Sequence, residues 1–212
     1  MNKRFLLVTV LLICFGLNHL QGQNKVLPTG FFNPKVTEGH PLYLFDSSIV
    51  EGKIPRQALP VDSITFKKAG YNWVVDHSPK DFEPFMGKLD YGVFFLSVNR
   101  LGIDYHEVFT HEEKGTAFYV GRFSGDFISW GEFLLSMHSV EFMAEGQKVF
   151  DHPLVKSAGR VYPIGTFFRP MFVQGDWMEV QILDNDFNKT GKTGWIRWRK
   201  DGKILVLYNL LS

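Results

Sequence analysis

The residue types able to do chemistry are densest between positions 104 and 113, where Asp104, His106, His111, Glu112 and Glu113 stand together. Imidazoles and carboxylates are common zinc ligands and proton carriers near neutral pH, so a hydrolytic centre would start here, with Asp104, His106 and Glu107 as its working set. The spacing speaks against it. His106 and His111 are five residues apart, so on one strand they face opposite sides, and His111 to Gly115 reads as a polar hairpin turn. No His-Glu-x-x-His pattern occurs. The expectation is a solvated turn, without metal or cofactor.

Other chemical signals fail for similar reasons. Gly191-Lys192-Thr193 ends like a phosphate-binding loop, but the first glycine of that motif would fall on Asp186. The residues that follow read as a strand, where phosphate needs a helix N-terminus. No Gly-x-Ser-x-Gly turn is present to expose a nucleophilic serine. Asp81/Glu83 and Asp184/Asp186 lie in polar loops, and His40 and His152, each before Pro-Leu, fix the start of a strand. No residue is assigned a catalytic role.

The aromatic residues near the C-terminus are the better candidates for binding. Tyr162, Trp177, Trp195, Trp198 and Tyr208 offer flat apolar faces with polar edges, which suit sugars or peptides, and Arg197 and Arg199 stand ready for carboxylates. Trp195 and Arg197 share one face of their strand while Ile196 and Trp198 share the other. One tryptophan therefore belongs in the core and the other nearer the surface.

The elements that position these residues are mostly strands. Trp177-Met178-Glu179-Val180-Gln181-Ile182 alternates after the turn signal Gln174-Gly175-Asp176, and a polar loop from Asp184 to Lys192 leads to Thr193 to Trp198. Asp201-Gly202 marks a hairpin before Lys203 to Tyr208. His152 to Val155 and Val161 to Phe168 are two further extended candidates, which together predict a small barrel. One helix is signalled, by the capping box Ser129-Trp130-Gly131-Glu132 and by Trp130, Phe133, Leu134 and Met137 at helical spacing.

The succession His152-Pro153-Leu154, Gly175-Asp176-Trp177-Met178-Glu179-Val180 and Gly194-Trp195-Ile196 resembles the bacterial Src-homology-3-like (SH3b) barrel over residues 147–212. A diverged second copy is legible upstream. His40-Pro41-Leu42-Tyr43 parallels His152-Pro153-Leu154-Val155, and Tyr105-His106-Glu107-Val108 parallels Trp177-Met178-Glu179-Val180. The turn Glu112 to Gly115 and then Phe118-Tyr119-Val120 parallel the 184–192 loop and Trp195-Ile196. This alignment gives the first copy an insertion of about 40 residues containing the apolar run Gly92 to Val98, with Trp73 as a competing equivalent of Trp177. The resemblance implies a mainly β fold of two small SH3-like β-barrel units in tandem, the first with an insertion and one short helix.

Composition and compartment complete the reading. The chain is 45% hydrophobic, with 21 phenylalanines, which favours strand-rich packing and excludes disorder. Lys3 and Arg4 precede an apolar run of 13 residues, Phe5 to Leu17, shorter than the roughly 20 that span a bilayer. Residues 1–22 therefore read as a signal peptide cleaved after Gly22, leaving no membrane span. Ile13 before Cys14 does not fit a lipidation motif. Cys14 is the single cysteine, so the secreted chain has no disulfide, which suits a bacterial periplasm. Residues 23–146 hold 11 Lys/Arg against 16 Asp/Glu, and residues 147–212 hold 10 against 6, so the sign of charge changes at the polar stretch 144–148 and divides two units there. The near-neutral total excludes a nucleic-acid partner. The function expected is a non-catalytic secreted binding module of the cell envelope, recognising cell-wall peptide, peptidoglycan or an envelope protein. The alternatives are a periplasmic inhibitor or immunity protein, acting through the segment between Pro60 and Arg100, and a hydrolase using Asp104, His106 and Glu107.

Overall fold

Apolar residues at alternate positions turn most of the chain into strands, and the computed structural model is mainly β, with a curled half-barrel sheet. It describes residues 27–50 and 59–210; the signal peptide expected over 1–22 lies outside them. The strands are β1 (Gly30–Pro34), β2 (Leu42–Leu44), β3 (Asp62–Ala69), β4 (Asn72–His77), β5 (Met86–Lys88), β6 (Val93–Arg100), β7 (Tyr105–His111), β8 (Thr116–Gly121) and β9 (Gly125–Ser129). Helix α1 (Trp130–Leu135) follows, then β10 (Ser139–Phe142), β11 (Lys148–Phe150), β12 (Gly159–Val161), β13 (Phe168–Gln174) and β14 (Trp177–Leu183). The chain continues through β15 (Lys189–Arg197), β16 (Arg199–Lys200), β17 (Lys203–Ile204) and β18 (Val206–Asn209).

Two sheets share one strand order. The first runs β8-β7-β6-β1-β9, and a bridge from Phe45 to Tyr119 adds β2, then β3 and β4, beside β8. The second runs β12-β11-β15-β14-β13-β10-β18. Placing β1 on β10, β2 on β11, β3 on β12, β6 to β8 on β13 to β15 and β9 on β18 reproduces every neighbour. The register repeats too. Tyr105, His106 and Glu107 face Gly121, Val120 and Tyr119, as Trp177, Met178 and Glu179 face Arg197, Ile196 and Trp195. The Phe45–Tyr119 bridge has its counterpart in Phe150 against Trp195. The Arg122 amide donates to the Asp104 carbonyl at 2.8 Å, as the Trp198 amide donates to the Asp176 carbonyl at 3.0 Å. A bulge falls between Val98 and Arg100 in one copy and between Pro170 and Phe172 in the other.

This pairing corrects the sequence alignment in three places. His152 to Val155 is not extended: the Leu154 amide bonds the His152 carbonyl at 2.7 Å and Ser157 closes back on Leu154 at 2.9 Å, giving turns. The strand beside Trp195 is β11, so His152-Pro153-Leu154 is no counterpart of His40-Pro41-Leu42, which leads into β2. The apolar run Gly92 to Val98 supplies β6, the equivalent of β13, and the extra elements of the first copy are β4, which carries Trp73, and β5. The Val161 to Phe168 segment separates into the end of β12 and the start of β13, joined by a loop. β10, upstream of the charge change at 144–148, pairs with β13 and β18, because Val140 and Phe142 are apolar enough to be buried there.

Burial explains why the copies stay together. Strand neighbours face opposite sides, yet Phe31 and Phe32 of β1 are both fully buried, and Phe94 and Phe95 of β6 are both buried. Phe32 and Phe94 fill the first copy with Ile64, Leu96 and Val108. Phe31 and Phe95 point the other way, into a core shared with Phe168, Met178, Val180, Ile196 and Trp198 of the second copy. Helix α1 lies in that seam. Its capping box forms as expected: the Ser129 hydroxyl accepts from the Glu132 amide and the Glu132 carboxylate from the Ser129 amide. Trp130 then stands 5.7 Å from Trp198, and Phe133 is 4.4 Å from Phe31 and 5.1 Å from Tyr208. Trimming Phe133 to alanine should therefore cost about 3–5 kcal/mol. Both copies should still unfold in one step in urea, with tryptophan fluorescence and far-ultraviolet dichroism coinciding; two separated transitions would show that the seam does not couple them.

Candidate functional site

The seven binding candidates divide between two sides of the second sheet. Ile196 and Trp198 turn inward, as their parity requires, and Trp198 is buried, its indole N–H donating to the Gly175 carbonyl at 2.9 Å. Tyr162 and Tyr208 pack partly buried against the same core. Burial first, and the Glu112 carboxylate second, raise the Tyr208 hydroxyl above the usual phenol pKa, so it stays protonated. These three belong to the interior and the seam.

Trp177, Trp195 and Arg197 lie together on the outer face. β14 and β15 place Trp177 opposite Arg197 and Glu179 opposite Trp195, and β11 brings Phe150 against Trp195. The Phe150 and Trp177 rings meet edge to face at 5.3 Å. Phe172 joins them, perpendicular to Trp195 at 6.2 Å. Phe150 and Phe172 were not legible as site residues. Simple alternation places Phe172 on the inner side with Phe168 and Pro170; the bulge after Pro170 reverses it, leaving it 51% exposed. Phe150 carried the signal of a short alternating strand, Lys148-Val149-Phe150, but no local feature says that Trp195 is its neighbour.

Asp176 organises the charge. Its carboxylate accepts from Arg199 Nε at 2.8 Å and lies 3.6 Å from Arg197 Nη2. The Arg199 guanidinium lies over the Trp198 ring at 4.8 Å, and that of Arg197 over the Trp177 ring at 6.0 Å. Both arginines are thus held, and neither is a free arm. Arg197 Nε is buried with no hydrogen-bond partner among the described residues. A cleft of about 350 Å³ opens beside it, lined by Phe142, Lys148, Phe150, Trp177, Arg197 and Leu205. Its two cations and aromatic walls suit a small anionic group attached to an apolar or flat body.

The other cluster does not assemble. His106 turns into the first core, 6.1 Å from the Phe32 ring and 6.4 Å from the Phe127 ring. Glu107, its neighbour on the strand, turns outward, where it accepts from Asn99 at 2.7 Å and from the Tyr119 hydroxyl at 3.2 Å. Asp104 lies in the loop before β7, with its carbonyl bonded to Arg122. His111 faces Glu83 at 3.4 Å, and residues 112–115 form the expected turn. No group of three or more histidines, cysteines and carboxylates that would hold a metal exists among the described residues.

Comparison with protein-family models, curated proteins and solved structures gives no match.

Burial, and then the Arg122 charge, hold the His106 imidazole below its ordinary pKa. The folded chain keeps it neutral, while the unfolded chain takes up a proton near pH 6.5. Its contribution to stability is whole above that value and is lost as pH falls from it toward the folded pKa. His106→Met, which supplies the side chain found at the matching position Met178, should therefore show a smaller drop in urea midpoint between pH 7.5 and 5.5 than the parent. An equal drop would assign the pH dependence elsewhere.

Proposed function

We propose that the chain is a non-catalytic secreted module of the bacterial cell envelope, that each copy is an SH3-like barrel, and that the second copy holds a carboxylate-bearing cell-wall peptide on its outer face. The observation that carries the binding reading is Arg197: it lies over Trp177, is braced by Asp176, and lines an aromatic cleft beside Lys148. Peptidoglycan stem peptides have carboxylates, amides and short apolar side chains, the groups that this cleft and the neighbouring Trp195 and Phe172 accommodate. The Gly175-Asp176-Trp177 start of β14 supports the SH3-like reading, as does the three-strand meander β13-β14-β15.

One observation favours a second reading, a protein inhibitor. The hairpin of β3 and β4, whose second strand is extra to the first copy, carries Tyr71 at its tip, fully exposed, a natural anchor for a protein surface.

Co-sedimentation of residues 23–212 with purified peptidoglycan, beside capture from solubilised envelope proteins, separates the two. Binding to the wall material is expected, weakened about tenfold or more in Arg197→Ala and in Trp195→Ala and unchanged in Tyr71→Ala. Capture of a single protein, lost in Tyr71→Ala, with no wall material sedimented, would overturn the peptide reading.

A further inference from the structure

A second cleft opens on the first copy, lined by other elements but sharing one register position with that of the second copy, Tyr105 standing where Trp177 stands. Tyr105, Glu107 and Tyr119 occupy the positions of Trp177, Glu179 and Trp195, and Phe45 that of Phe150. The Phe45 and Tyr105 rings meet edge to face at 5.5 Å, as Phe150 and Trp177 do at 5.3 Å. Position 121, the counterpart of Arg197, is glycine, so the arginine of the second cleft has no direct equivalent. The bulge of β6 supplies one. It turns Arg100, at the position of Phe172, onto the outer face, where its guanidinium lies over the Tyr119 ring at 5.9 Å and its Nε is 3.7 Å from Glu107. The corresponding values for Arg197 are 6.0 Å to Trp177 and 3.6 Å to Asp176. An arginine over an outward aromatic ring and braced by one carboxylate is thus present twice, built from different strands.

Arg100 also donates to the Tyr119 hydroxyl, which in turn reaches Glu107. The network fixes the guanidinium while leaving the Arg100 side chain 64% exposed at the wall of a cleft of about 670 Å³ that Asp104, Tyr105, Leu101 and Ile103 also line. Core packing accounts for neither feature. An internal strand order needs apolar residues on its inner face, and nothing in it requires an arginine on a ring at the outer face.

We infer that this cleft is a second site for the same class of ligand, a carboxylate-bearing cell-wall peptide, so that one chain grips the wall at two points. The inference rests on the reading of the second copy given above. Two tethered sites raise affinity for a polymer by making the second contact intramolecular, while leaving affinity for a single small ligand unchanged.

Isothermal titration of the secreted chain with a purified disaccharide-tetrapeptide muropeptide, beside sedimentation with intact sacculi, tests this. Two equivalents of muropeptide per chain are expected. Arg100→Ala and Arg197→Ala should each leave one equivalent, and each should weaken binding to sacculi about tenfold or more. Tyr119→Phe, which keeps the ring and removes only the hydroxyl that fixes Arg100, should weaken the first site a few-fold. Far-ultraviolet dichroism checks that each variant is folded. One equivalent that vanishes in Arg197→Ala and is untouched in Arg100→Ala would overturn the second site and leave the function standing. Two equivalents unaffected by Arg100→Ala would place the other site elsewhere and equally overturn it. No binding of muropeptide or sacculi would overturn both readings.

Discussion

Burial of aromatic rings in the seam between the two sheets is the interaction on which the rest of the molecule depends. Phe31 touches Trp130 at 4.6 Å and Phe133 at 4.4 Å, and Trp130 passes the contact on to Trp198. Each such pair adds about 0.5–1.5 kcal/mol beyond the area it removes from water. The constraint comes from the first sheet. A strand such as β6, buried over Phe94 to Val98 without a break, has apolar groups on both faces, and a single sheet with its own core can cover only one of them. The second face must meet something else. Helix α1 and the second copy are what it meets, which is why three of the six helical residues, Trp130, Phe133 and Leu134, are buried.

That division also decides where a ligand can sit. β7 and β14 alternate cleanly between buried and half-buried positions, so each has one face in a core and one toward solvent. The faces left open by the seam are therefore those of the β7–β8 and β14–β15 hairpins; both carry aromatic residues, and the arginine comes from β15 in the second copy and from the neighbouring β6 in the first. In the second copy Asp176 fixes the geometry by accepting from Arg199 and pairing in charge with Arg197. Two cations so close repel each other, and one carboxylate between them offsets that repulsion, so that Arg197 stands at the cleft wall with Arg199 behind the same carboxylate. The same carboxylate limits them, since a guanidinium already paired offers its remaining N–H groups in a fixed direction.

Much of this was legible in the sequence, and the failures share one cause. The strand at 177–182, the capping box at Ser129 and the Asp201-Gly202 hairpin follow from local rules, and Asp201 and Gly202 adopt the left-handed backbone that such a turn requires, whereas the strand expected over 203–208 is broken at Leu205 into β17 and β18. The separation of Trp198 from Trp195 follows from parity alone. What the sequence did not disclose needs partners distant along the chain. Phe150 meets Trp195, Arg199 crosses 23 residues to Asp176, and Trp130 bonds the Pro28 carbonyl 102 residues away. The bulges are the other loss. One extra residue after Pro170 reverses the facing of everything beyond it on that strand, so a period of two, counted through the bulge, assigns Phe172 to the wrong side.

The mispairing of His40-Pro41-Leu42 with His152-Pro153-Leu154 shows what kind of likeness persists between the copies. Three matching residue types fall in non-equivalent places, whereas His106 and Met178, with no likeness of type, fill the same buried position. A core position demands volume and a face, and His106 meets that demand by staying neutral between Phe32 and Phe127. An outer position demands neither, so residue types there drift unless some other constraint holds them. The two outer faces have drifted: Arg197 faces Trp177 where Gly121 faces Tyr105, and Phe172 stands where Arg100 stands. Yet each ends with one arginine on one ring beside one carboxylate. Each arginine is thus held by the same two kinds of contact, an aromatic ring and a carboxylate, although the groups come from different strands.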